Sequence, residues 1–340
     1  LQSLSSQTRQ ETGSGVTDPA MTNFLYQSDT LETINDFIRW GATLFSRADL
    51  CFGHGTDNAF AEAKLLVFHP LALPWDVPED IYRCRLTQQE KQQITDLFRH
   101  RIESREPAAY LVGEAQFAGL RFYVNASVLV PRSPIAELIA ERYQPWVDPD
   151  AVTRILDLCT GSGCIGIASL QACPNAQVDL ADISPKALAV AKRNVARYQL
   201  EEAVSVVKSD LFSALSGQQY DLIVSNPPYV DAIEMAHLPP EFQREPALGL
   251  AAGDDGLDLV RRILAEASDH LTEDGTLIVE VGVSQHYLVQ AYPELPFYWF
   301  EFEQGGEGVF ALQKSELEAF DAVLQARKAP GIYPELPSSS

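Results

Sequence analysis

Basic residues are scarce in this 340-residue chain: Lys and Arg number 25 against 47 Asp and Glu, a formal net charge of -22 at pH 7 with a sequence pI near 4.6. A body this acidic repels exposed phosphates, which disfavours direct sequence-specific nucleic-acid binding and favours a basic partner. Acidity also serves solubility, so charge supports that partner without identifying it. No apolar run reaches the length of a membrane span, and no basic–apolar leader opens the chain. The five cysteines show no C-x-x-C spacing and the six histidines are scattered. Neither a disulfide framework nor a metal site is therefore expected, and the setting reads as a reducing cytoplasm. Internal repeats are also lacking. What remains is a chain long enough for a large catalytic core and a smaller domain.

Against that background one segment is a poor choice for folding. Asn226-Pro227-Pro228-Tyr229 follows directly on the apolar run 220–225. Two prolines remove two backbone donors and end a strand. In exchange the step holds rigidly an amide side chain, free carbonyls and a flat aromatic face. That set suits a planar –NH2 group, which donates two hydrogen bonds and lies against a ring. Pro-Pro pairs are mostly plain turns, so the reading needs a cofactor loop beside it.

Such a loop lies upstream. Residues 154–158 (RILDL) read as a buried parallel strand running into Cys159-Thr160-Gly161-Ser162-Gly163 and then a helix. Glycines at a strand-to-helix turn let backbone approach a ligand closely. Asp182 ends a second strand about twenty residues on, where a carboxylate can accept from both ribose hydroxyls. Gly161, Gly163 and Gly166 satisfy G-x-G-x-x-G, so a nicotinamide dinucleotide fits as well as S-adenosylmethionine at this point. Asp157 tips the balance. A carboxylate there faces a pyrophosphate unfavourably but suits the ammonium of S-adenosylmethionine, directly or through water. Asp210 ends the next strand and can accept from an adenine amino group. Each acid alone is more simply a helix cap. Three at successive strand ends, with Asn226 at the fourth, follow the rule that ligands bind at the carboxyl edge of an open α/β sheet.

These residues identify a family. LDLCTGSGCIGIA, the Asp182 strand end, SDLF at 209–212 and SNPPYV at 225–230 resemble the protein N5-glutamine methyltransferases. Residues 105–132 resemble that family's hairpin linker and residues 244–264 its post-catalytic segment, so the likeness spans about 28–315. Pro131-Arg132-Ser133-Pro134, the 159–163 loop and Phe52-Gly53-His54-Gly55-Thr56-Asp57-Asn58 look like the branch acting on large-subunit ribosomal protein three rather than on release factors. The resemblance implies S-adenosylmethionine as cofactor and a basic ribosomal protein as substrate, free or in a ribosome assembly intermediate. It implies a Rossmann-like, doubly wound, mostly parallel seven-stranded α/β sheet with a small helical N-terminal domain. It further implies cofactor contacts from Asp157, the 159–163 loop, Asp182, Asp210, Leu211 and Asn226, with Leu211 in apolar contact with adenine. Cys159 departs from the glycine usual at its position in the wider superfamily.

A carboxamide nitrogen is a weak nucleophile, and no base is expected to deprotonate it at neutral pH. Asn226 Oδ1 and the Pro227 carbonyl are the expected acceptors for its two protons, with Pro228 stiffening the step and Tyr229 against the amide plane. Glu280, near the same edge, reads equally as pocket lining or helix cap. Three rivals stand beside this reading: adenine-N6 methylation of nucleic acid, a nicotinamide dehydrogenase, and a non-catalytic assembly factor.

The expected organisation is a disordered leader 1–20, a helical substrate-recognition domain 21–112, a hairpin linker 113–132, a catalytic domain 133–315, and a C-terminal helix with a loose tail over 316–340. Thr87 with Glu90 predicts a capping box opening a helix whose inner face is Ile94, Leu97, Phe98 and Ile102. Residues 117–130 predict paired short strands. Leu257, Val260, Leu264, Ala267 and Leu271 predict a helical stripe, and 276–281 a fifth strand. Arg99, His100, Arg101 and Arg105 read as a solvated basic helix face, with contact to ribosomal RNA as the alternative.

Overall fold

The structure, a computed structural model, describes residues 30–303 and 305–328. The expected leader 1–20 and the tail beyond 328 lie outside those residues. The chain begins with a helical unit: α1 (Ile34–Arg47), α2 (Ala59–Phe68), α3 (Gln88–Ser104) and the short α4 (Ala108–Val112). Each of the three long helices starts on a side chain that satisfies its free N–H groups: Thr33 with Asp36, Asn58, and Thr87 with Glu90. Phe37, Ile38, Phe45, Leu66, Ile94 and Phe98 close their common core.

An antiparallel hairpin of β1 (Glu114–Phe117) and β2 (Leu120–Tyr123) leads out of this unit. The expected pair over 117–130 thus lies upstream of its predicted position. Val124, Val128 and Val130 alternate as a strand would, but they bury against Tyr110 and the helix at 185–197 instead of pairing in a ladder. The short α5 (Ile135–Ala140) follows.

Strands then alternate with helices: β3 (Arg154–Leu158), α6 (Cys164–Ala172), β4 (Gln177–Asp182), α7 (Pro185–Arg197), β5 (Val204–Lys208), β6 (Tyr220–Ser225), α8 (Ala232–His237), α9 (Asp258–Glu266), β7 (Leu271–Glu280), α10 (Gln285–Ala291), β8 (Tyr298–Trp299), β9 (Val309–Gln313), α11 (Lys314–Ala319) and α12 (Asp321–Ala326). The seven strands of this sheet run β5-β4-β3-β6-β7-β9-β8, and β9 is antiparallel to both of its neighbours. The chain is therefore a doubly wound, Rossmann-like α/β protein. Its inner strands are near-continuous apolar runs because helices cover both faces. The predicted helical stripe stops short: α9 ends at Glu266, a tight turn carries 267–270, and Leu271 already belongs to β7.

Strand order reverses at β3, with β4 on one side and β6 on the other. A crevice at the carboxyl ends is the topological consequence. Along that edge stand, in spatial order, Asp210, Asp182, the 159–163 loop and Asn226.

Candidate active site

The loop after β3 is built from the inside. Asp157 is buried, and its Oδ2 accepts from Thr160 Oγ1 at 2.5 Å and from the Gly166 N–H at 2.8 Å. Gly166 allows α6 to lie on the sheet, since a Cβ there would stand 2.3 Å from Leu180 and 3.0 Å from Asp157. Further on, the Thr160 N–H donates to the Ala181 carbonyl, Gly161 N–H to Asp182 Oδ2 at 2.9 Å, and Gly163 N–H to the Thr160 carbonyl. These three N–H groups are consumed within the fold, so they are not offered to a phosphate. The carboxylates flanking the loop, Asp182 in the pocket lining and Asp157 beneath it, suit a cationic cofactor and not a pyrophosphate.

Two buried acids keep unused capacity. Asp157 Oδ1 has no hydrogen-bond partner among the described residues, and burial pushes this carboxyl up to about 7 against the pull of Thr160 and Gly166. An orphaned oxygen there fits the ammonium of S-adenosylmethionine or a water beneath it. Asp182 takes one N–H on each oxygen, Gly161 on Oδ2 and Ser184 on Oδ1 at 2.8 Å. Each oxygen retains a second acceptor site, which matches a ribose diol. Burial raises the Asp182 carboxyl too, opposed by those backbone donors.

One pocket gathers Cys159, Gly161, Asp182, Asp210, Leu211, Asn226 and Pro228. Asp157, Thr160, Ser162 and Gly163 sit behind this wall, and Pro227 and Tyr229 lie outside its lining. Asp210 reaches the pocket already paired, its Oδ1 2.9 Å from Arg262 Nη1. Cys159 and Leu211 both take left-handed backbone, at φ 57° and 48°. Such a conformation is costly for residues with a Cβ and is held here by tertiary contacts. Leu211 is nearly fully buried, and its carbonyl accepts from Ser209 Oγ at 2.5 Å, which locks an apolar side chain into the pocket wall.

At the end of β6, Ser225 Oγ donates to the Leu158 carbonyl at 2.8 Å, fastening the Asn-Pro-Pro-Tyr step to the glycine loop. Asn226 is half-buried, and its side chain lies near Glu280, where it helps hold that carboxyl down. Glu280 also accepts from Ser133 Oγ on Oε2 at 2.5 Å and from the Tyr229 hydroxyl on Oε1 at 3.0 Å. Burial pushes Glu280 up to about 7 against these donors. Burial and the neighbouring Glu280 also raise the Tyr229 phenol, so Tyr229 stays neutral and donates. The Tyr229 carbonyl is occupied by Ser284 Oγ at 2.8 Å, while no partner for the Pro227 carbonyl occurs among the described residues. Gly282 packs on the Tyr229 ring, where an added Cβ would stand 2.6 Å from it.

Sequence reasoning left open what Glu280 does and did not see Val128, Leu129, Pro246 and Leu248, which close the pocket. The 244–264 segment was visible as a motif, but its target was not. Glu245 explains its position. This buried carboxylate takes both Arg132 nitrogens at 2.7 and 2.5 Å and the Val130 N–H at 3.0 Å, and His54 Nε2 lies 3.5 Å away. The predicted basic helix face is corrected in the same region. Arg101 is fully buried, 2.7 Å from Glu62 and 3.5 Å from Glu241, and Arg105 lies 3.0 Å from Glu241. Only Arg99 and His100 of that cluster face outward, each beside an acid.

A methyltransferase small domain model matches residues 144–239. The ribosomal protein uL3 glutamine methyltransferase of Xanthomonas campestris pv. campestris is 53% identical over 295 residues, covering 87% of this chain and 96% of that protein. Its namesake from Francisella tularensis subsp. tularensis is 47% identical over 290 residues, covering 85% of this chain and 92% of the relative. Among solved structures, the hMettl16 catalytic domain in complex with a MAT2A 3'UTR hairpin superposes loosely, at 16% identity over 73% of this chain and 91% of its own, with a TM-score of 0.47.

Proposed function

The chain belongs to the ribosomal protein uL3 glutamine methyltransferase family, and from that premise we propose that it methylates the side-chain nitrogen of a glutamine in large-subunit ribosomal protein uL3. The observation that carries the chemistry is the shared pocket of Asn226 and the glycine loop. S-adenosylmethionine, when bound, supplies an electrophilic methyl group. Asp182 would hold its ribose, Asp157 its ammonium through an intervening water, and Leu211 its base through apolar contact. Asp210 serves the adenine amino group with the oxygen that Arg262 leaves free.

The protein's own task is to orient a poor nucleophile. An acceptor-only Glu280 takes the Asn226 N–H, which turns Asn226 Oδ1 toward the substrate. With the Pro227 carbonyl it forms two acceptors for one –NH2 group. As the amide nitrogen attacks, its protons become more acidic and both bonds strengthen, which stabilises the transition state. Holding nitrogen in line contributes several kcal/mol more, on the order seen for oriented reactants. The helical N-terminal unit is the natural substrate-recognition element. The setting is cytoplasmic, with uL3 free or inside an assembly intermediate.

Mass spectrometry of uL3 from cells lacking the chain tests the activity; a glutamine that keeps its methyl group overturns it. Asn226→Ala should abolish turnover while cofactor affinity by calorimetry stays within a few fold. Asp182→Ala should instead weaken cofactor binding by tenfold or more, about 1.4 kcal/mol. Equal affinity in that variant removes the ribose role.

A further inference from the structure

A second groove of about 860 Å³ opens between α2, the β1–β2 hairpin and α7. Leu65, Phe68 and Trp75 from the helical unit give it an apolar share of its lining. Its rim reverses the charge of the molecule. Arg121, Arg193 and Arg197 border it against one carboxylate, Glu114, in a chain with nearly twice as many acids as bases. Glu114 pairs with Arg197 at 2.7 Å. Arg121 and Arg193 are exposed and have no ion pair among the described residues. The Arg193 guanidinium carbon lies 3.5 Å from the Tyr123 ring centroid, a cation–π contact that holds this exposed side chain at the groove.

We propose that this groove binds a single-stranded segment of RNA. Arginines along a rim meet phosphates, and the exposed Arg193 guanidinium held on Tyr123 offers a surface to an unpaired base, while Lys64 over the Trp75 ring adds a cation close by. The acidic body does not prevent this. Charges more than about 8 Å away are screened at physiological salt, whereas the rim arginines would touch the ligand directly. A basic protein segment is excluded by the same rim, so the groove takes a partner other than the methylated protein. That the RNA is the ribosomal RNA lying beside that protein rests on the function proposed above; the binding itself does not.

Fluorescence anisotropy of the full chain with a labelled oligouridylate of about twelve nucleotides is the test. Two phosphate contacts, from Arg121 and Arg193, at about -0.7 each predict that affinity falls roughly sevenfold between 50 and 200 mM salt. Arg121→Ala combined with Arg193→Ala should weaken binding at least tenfold at 50 mM salt and flatten the salt slope. The exposed Arg85, outside the groove, should tolerate Arg85→Ala with no change in binding, and methyl transfer to RNA-free uL3 should be equal in all three proteins. Absent binding at 50 mM salt, an unchanged affinity in the double variant, or equal displacement by a polyglutamate peptide would overturn the proposal. Binding of the oligonucleotide by a chain that leaves uL3 unmethylated would sink the proposed function and leave the groove standing.

Discussion

At the scale of single residues, the role proposed for Asn226 turns on Glu280. An amide side chain can face either way, and only a neighbour that accepts but cannot donate selects one orientation. Ionised Glu280 is that neighbour, and the protonated carboxyl is not. Its range near 7 places the change inside ordinary assay conditions. Turnover should rise as pH climbs through about 7, and Glu280→Gln should give a low, flat profile with little change in cofactor affinity. The same shift has a sign for stability. Glu280 retains its proton up to about 7, whereas the unfolded carboxyl loses it near 4.5. Stability therefore falls as pH rises across that window, and the variant should show a shallower decline, with Asp157 supplying what remains. Urea titrations at pH 5 and pH 7.5 measure both slopes.

Between elements, a buried ionic seam joins the helical unit to the segment after the Asn-Pro-Pro-Tyr step. Arg101 comes from α3, Glu62 from α2 and Glu241 from the stretch that leads to Pro246 and Leu248 in the pocket wall. Removing one partner of such a group leaves a charge buried without compensation, at a cost of about 3–5 kcal/mol. Arg101→Met should lose stability on that scale in urea unfolding and also weaken cofactor binding, because the wall loses its anchor. Adding Glu241→Gln should restore part of the loss. Arg101 was half visible in the sequence. It lies seven residues after Ile94 and three after Phe98, on the stripe that faces the core. A guanidinium there looked like a face turned to water because its two acids lie 39 and 140 residues away. The capping boxes at Thr33 and Thr87, by contrast, depend on neighbours three residues apart, and the one at Thr87 was legible for that reason. The hairpin failed for the opposite cause, since alternating valines report burial on one side and not a partner strand.

For the whole molecule, net charge sets how partners arrive. A body at -22 attracts a basic ribosomal protein over distances beyond contact, and salt screens that attraction. With uL3 as substrate, kcat/KM should fall several-fold between 50 and 300 mM salt while kcat stays level; a salt-independent kcat/KM would remove steering from the account. The arginine rim of the second groove shows why total charge is a poor guide to every surface. Composition averages over the chain, whereas binding samples a few ångströms.

The alternation of strands with helices, the glycine loop and the Asn-Pro-Pro-Tyr step are local in the chain, so their chemistry could be read from neighbours alone. Strand ends that share one edge of a parallel sheet bring their acids together whatever the surrounding detail. Tertiary structure alone decided that Glu280 holds Tyr229 and Ser133 at once with Asn226 nearby, and that Glu245 ties the hairpin linker to the pocket wall. Those partners are separated by tens to more than a hundred residues, and only the closed fold brings them within hydrogen-bonding distance.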